Sequence, residues 1–165
     1  MDDMDLKHIS QDAVPRALEL AERYRLLNEP ELAASICHDV LATDPTNIEA
    51  LRSLFLAITE QFGHRHGTQL EDADKVANQI GGDYEHAYYL GMARERWART
   101  KLQQREHLSL VGDWLKRAMA KYEIAEACRP AGNDDVLLRW NACARLLAAV
   151  PGLGHERDHE SDIGD

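Results

Sequence analysis

Two stretches of the chain carry the same residue pattern at the same intervals: Ala33, Cys37, Val40, Pro45, and then Ala118, Tyr122, Ala125, Pro130. Each reads small, bulky, small-to-medium, proline. At 3.6 residues per turn the first three positions share one helix face. The proline stops the helix, because it lacks an amide donor and clashes with the preceding turn. A small residue on that face lets a neighbouring helix approach, and the bulky one a turn later fills the space beside it. An apolar helix precedes each copy, with Leu20, Ala21 and Tyr24 before the first and Leu90 and Gly91 before the second. No stretch alternates apolar and polar residues for long, and β-branched residues are sparse, so the expected class is all-α.

Capping and breaking residues divide the chain into about seven helices. Residues 1–11 are polar and read as a flexible N-terminus. The first helix is expected to begin at Asp12, with Pro15 in its first turn, and to run to about Leu27 on Val14, Ala17, Leu20, Ala21 and Tyr24. Asn28 is read as the cap of a second helix over 30–43, halted by Asp44 and Pro45. Thr46-x-x-Glu49 and Thr68-x-x-Glu71 have the form of capping boxes for helices three and four, with a glycine-bracketed loop, 62–67, between them. Gly81 and Gly82 end helix four, and Asp83 is read as the cap of helix five. Leu90, Ala93, Trp97 and Lys101 keep helical spacing, so helix five is predicted over 84–105. A turn near Leu108–Gly112 should precede helix six at 113–128, with Trp97 and Trp114 meeting near the hairpin tip. Helix seven is predicted over 134–149. The helical domain then spans 12–150, followed by an acidic, unstructured tail over 151–165.

The interval from Leu20 to Leu54 is 34 residues, the period of tetratricopeptide repeats. With the two signatures, the chain resembles that family over about residues 14–147. The resemblance implies a right-handed superhelical array of three antiparallel hairpins plus a terminal helix, and a non-enzymatic role in binding other proteins. It departs from the family in the interval between hairpin helices, which grows from 13 residues (Leu20–Ala33) to 19 (Leu54–Ala73) and 28 (Leu90–Ala118). Helix seven looks like the first helix of a repeat whose partner is missing. Arrays need a cap at each end, so it is either that cap or a surface for a homodimer.

In the family, the first helices of successive repeats line a concave groove that meets peptides. The matching free face here gives Leu18, Glu22 and Arg25, then Arg52 and Leu56, then Tyr88, Met92 and Arg96, then Asn141 and Arg145. Arginine forks suit carboxylates, and Leu56, Tyr88 and Met92 offer apolar contact, so the expected ligand is an acidic peptide with hydrophobic anchors. The competing reading is that these arginines pair with Glu22, Glu49 and Glu95 across the array. One family subgroup grips the terminal carboxylate of heat-shock chaperones with Lys, Asn and Arg. This chain has Leu18, Glu22, Ser53, Glu85 and Tyr89 at those places, which does not fit that clamp.

A formal charge of −10 and a pI near 5.2 argue against a nucleic-acid surface, which needs a basic footprint. Within that acidic chain, Arg94, Arg96, Arg99, Lys101 and Arg105 stand against Glu95 alone. They are read as a solvated helix face, or as a secondary basic strip that an acidic partner or the acidic tail would cover. Cys37, Cys128 and Cys143 have no zinc or redox spacing, and an acidic start without a long apolar run fits neither a signal peptide nor a membrane span. A cytoplasmic protein is expected. No phosphate loop, His-Glu-x-x-His motif or nucleophile constellation is present, so no catalytic residue, metal or cofactor is expected. Two other readings stay open: a small acidic secretion-type chaperone for hydrophobic client segments, and a metal protein or enzyme using the His64 and His66 loop.

Overall fold

A computed structural model describes residues 4–154. A single 3-10 turn, Gln11–Ala13, leads into α1 (Val14–Leu26), α2 (Pro30–Thr43), α3 (Ile48–Glu60), α4 (Leu70–Ala77), α5 (Asp83–Gln103), α6 (Leu108–Ala127) and α7 (Asp135–Ala149). Among the described residues there are seven α-helices and no strand, so the fold is all-α as expected. Each helix packs on the next, α1 also touches α3, and α3 touches α5. This is hairpin stacking, in which odd-numbered helices meet one another.

Both signatures are buried in the same way. Ala33, Cys37, Val40, Ala118, Tyr122 and Ala125 are all 0 % exposed, and Pro45 and Pro130 follow just past the ends of α2 and α6. One core cluster joins α1 to α5 around Phe55, Ala73, Ala77, Ile80 and Ala93. A second joins α5, α6 and α7 around Val111, Leu115, Tyr122, Val136 and Cys143. A small third cluster, Val14, Val40 and Ala50, is covered by Ile9 of the N-terminal segment, whose carbonyl accepts a bond from the Thr43 hydroxyl.

Several helix ends differ from expectation, each for a local reason. The chain turns at Gln11, one residue before Asp12, and the helix proper starts at Val14. Asn28 closes α1 and does not cap α2: its φ is +60°, and the amides of Asn28 and Glu29 return to the carbonyls of Arg25 and Tyr24. That is a Schellman ending, for which asparagine tolerates the left-handed turn. Arg105 ends α5 in the same way, at φ +58°. Asn47, not Thr46, caps α3 by accepting the Ala50 amide at 2.9 Å. The capping box of α4 is Gln69 with Asp72, while Thr68 bonds back to the Ile58 carbonyl. Gly82, at φ +88°, precedes α5, and Asp83 is its first residue.

The largest departure is at Gly112. No turn occurs there, and α6 already begins at Leu108. A Cβ on Gly112 would lie 2.0 Å from the Leu153 carbonyl oxygen. The glycine therefore marks a close approach within a helix. Leu153 itself is 1 % exposed and sits in the second core cluster. The folded domain thus extends past the expected boundary at 150, through the Pro151–Gly154 segment. The rest of the predicted tail, 155–165, lies outside the described residues. Of the two tryptophans, Trp97 meets the Phe62 ring edge-on at 5.2 Å and Trp114 lies under Arg117, and both pack against the first core cluster.

Candidate functional site

The odd-numbered helices place the N-terminal half of the expected groove together. Leu18, Glu22 and Arg25 of α1 and Arg52, Ser53 and Leu56 of α3 line one open groove of about 500 Å³. Both helices turn their core stripe toward α2 and α4, so the residues one step around each helix are left facing each other here. The groove has an apolar floor of Leu18 and Leu56 with charged walls.

The charges are already engaged across helices. Arg25 is bidentate to Glu60, with contacts of 2.6–3.2 Å, and joins α1 to the end of α3. Arg52 reaches Glu85 at 2.6 Å and joins α3 to α5. The hydrogen bond that Arg52 donates to Glu85 raises its pKa above the usual arginine value. The arginines do pair with acids, as the competing sequence reading held, but with Glu60 and Glu85, not with Glu22 and Glu49. Glu22 and Glu49 form no ion pair among the described residues.

The α5 residues divide. Tyr88 stands at the centre of an aromatic run, stacked on Tyr84 at 5.7 Å and edge-on to Tyr89 at 5.5 Å. Arg96 donates to the Thr59 hydroxyl at 2.7 Å, which links α5 to α3. Met92 is 4 % exposed and belongs to the first core cluster, so it offers nothing to a ligand. Helix α7 meets α5 on a different face from the expected one. Arg139 of α7 bonds the Tyr88 hydroxyl and Glu95, both at 3.1 Å. Asn141 lies 200° further around the ideal helix and lines a separate groove with Glu123, Glu126, Leu137 and Trp140. Arg145 is exposed. On α7 it is therefore Arg139, not Asn141 or Arg145, that reaches α5, while the open groove itself is lined by α1 and α3 alone. The apolar residues of α7, Val136, Trp140 and Cys143, give no local sign of Arg139's role.

Sequence reasoning also missed the role of Glu95. It is 4 % exposed and accepts from Tyr122 of α6, Arg99 of its own helix and Arg139 of α7. Burial, then the Glu95 charge, pushes the Tyr122 hydroxyl far above its ordinary pKa. Burial opposes the charge on Arg139, but Tyr122 and Glu95 outweigh it and raise its pKa. A buried carboxylate is tolerable only with such partners, since isolation would cost it several kcal/mol (~) of solvation.

The expected basic strip is broken up by partners on three sides of α5. Arg94 turns to Asp74 of α4 at 3.0 Å, Arg96 to Thr59 of α3 and Arg99 to Glu95. Lys101 lies over the Trp97 ring at 4.5 Å, and of these five residues only Arg105, beyond the helix end, is exposed. Steps of about 100° per residue spread a charge run around a helix.

A larger cavity, about 950 Å³, opens on the other side of the array between α2 and α4. The long connection over 61–69 lines it with Gln61, His66, Gly67 and Thr68. Ala34, Ile58, Gln61 and Val76 form its floor, and His38, Asp39, His66, Asp72 and Lys75 its walls, with Leu6 and Lys7 at the mouth. Among the described residues no three His, Cys, Asp or Glu side chains come together as a metal would require. No described helix is long and apolar enough to cross a membrane. Comparison with known proteins returns no matching family model, no matching characterised protein and no matching solved structure.

Proposed function

We propose that this chain is a non-enzymatic interaction module of the tetratricopeptide-repeat type, working in the cytoplasm, that holds a segment of a partner protein in the groove across α1, α3 and α5. The observation that carries the reading is the groove itself. Two helices separated in sequence by a whole hairpin present Leu18, Leu56 and Ser53 on one open concave wall of about 500 Å³. Their opposite faces are consumed in packing. The repeat kinship rests on the two signatures, spaced alike and buried alike. The cytoplasmic placement rests on three free thiols, two of them buried: burial pushes Cys37 up to about 11 and Cys143 up to about 12.

A photo-crosslinking residue at Ser53, inside the groove, should capture a partner from native extract. The same residue at Lys116, exposed on α6, should not. Equal capture at both positions, or capture at Lys116 alone, would place the partner elsewhere.

A further inference from the structure

Four arginines gather around α5: Arg25 of α1, which holds Glu60 at the end of α3, Arg96 and Arg99 of α5 itself, and Arg139 of α7. Two carboxylates serve them. Glu60 is held by Arg25 through three hydrogen bonds, and Glu95 is shared by Arg99 and Arg139. Arg96 is left with the Thr59 hydroxyl alone, at 2.7 Å, and no carboxylate lies within 4.0 Å of it among the described residues. Thr59 is 4 % exposed and spends its own proton on the Leu56 carbonyl. It is therefore a pure acceptor for one of the five donors that a guanidinium carries.

Arg96 is half-buried. Burial, then repulsion from Arg139, lowers its pKa from the usual arginine value, with Glu60 acting the other way. A positive excess in a sheltered place is unusual in a chain of net charge −10. Desolvating a guanidinium is costly unless an anion meets its planar fork.

We propose that Arg96 receives the carboxylate of an acidic side chain from a bound partner peptide, with Arg25 and Arg139 on either side adding to the attraction. The proposal rests on the groove reading above and deepens it by naming the anchoring residue and the ligand chemistry. The Tyr88 ring beside Arg139, 6.0 Å from its guanidinium, gives the apolar part of that segment a surface to lie on. The unpaired Glu22 and Glu49 at the far end of the groove set a polarity: the acidic end of the segment lies toward α5 and α7.

The test uses the full chain and a labelled synthetic peptide with two adjacent glutamates beside a leucine, followed by fluorescence anisotropy at low salt. Arg96→Gln, which can still donate to Thr59, should weaken binding by about tenfold or more, and Arg96→Lys by less. Replacing both peptide glutamates with glutamine should cause a similar loss in the unaltered protein and little further loss in Arg96→Gln. The Arg96 side-chain Nε resonance of the unaltered protein should move on peptide addition. That readout stands even where a variant folds poorly. No binding up to about 1 mM, or equal affinity in the well-folded Arg96→Gln protein, overturns the proposal. If Ser53 still captures its partner in that case, the groove reading survives and only the carboxylate anchor falls. Binding by a chain ending at Gly154 but not by the full chain would overturn the partner peptide in favour of the protein's own acidic residues 156–165.

Discussion

The first hairpin, α1–α2, and the third, α5–α6, place the same pattern in the same buried setting, yet their interiors differ in kind. In the first, the bulky position is Cys37, a thiol that burial keeps protonated and that needs no partner. Ala21 stands at the matching place on the first helix, and no charged side chain is among the buried residues around it. In the third, the bulky position is Tyr122. Its ring needs more room, and Gly91 supplies it: a Cβ there would lie 2.6 Å from the ring. Its hydroxyl needs an acceptor, which brings Glu95 into the core. The carboxylate in turn needs cations, which fixes Arg99 and Arg139. One aromatic oxygen thus commits residues on three helices, and it ties α7 to the array. The lesson is that a repeat pattern fixes the backbone while the identity of one filler residue decides whether the interior is dry or ionic.

The largest test of that contrast is to remove the acid. Glu95→Ala should destabilise by about 3–5 kcal/mol, because it strands Arg139 and the Tyr122 hydroxyl together. Cys37→Ala in the first hairpin should cost less than about 2 kcal/mol. Denaturant unfolding of the two variants compares them directly, and equal losses would mean that the ionic core is solvated and no more demanding than the thiol.

The next concerns the space on the opposing helix. Gly91→Ala should cost about 1–3 kcal/mol, since the Tyr122 ring cannot move without leaving Glu95. The reverse change, Ala21→Gly, should cost about 1 kcal/mol through helix propensity. A stabilised Gly91→Ala protein, read from its thermal midpoint, would show that the close contact at Tyr122 relaxes freely.

The smallest effect belongs to the staple between the two regions. Arg52 and Glu85 have side chains 38 % and 33 % exposed, so Arg52→Ala should change stability by less than about 1 kcal/mol, and by less still at high salt. A loss of 2 kcal/mol (~) or more would show that this pair holds α3 to α5 as Glu95 holds α5 to α7.

How far the sequence discloses this molecule follows from the range of each interaction. Helix existence is local, and the signatures, the prolines and the spacing of Ala73, Ala77 and Ile80 all lead to the observed helices and the observed core. Helix ends depend on which of several neighbouring polar side chains wins, so Asn47 and Gln69 displace Thr46 and Thr68 as caps. Gly112 reads as a turn because the residue that requires it, Leu153, is far along the chain. The groove is legible on α1 and α3, where phase runs from a clear signature. It is lost on α7, where the apolar stripe of Val136, Leu137, Trp140 and Cys143 is wide enough to admit two phases and Arg139 holds the inner one. The partners Glu60, Glu85 and Glu95 are contacts across helices that no local pattern announces.

Leu153 has one more consequence, which concerns force. The chain leaves α7, turns at Gly152, and seats Leu153 against the N-terminal turns of α6. A pull applied beyond Gly154 therefore meets that seat before it meets α7. Helix α7 lies off the load path as a closed loop, and it stays slack until Leu153 lets go. An attachment made at this end grips the third hairpin near its tip, not the last helix of the array.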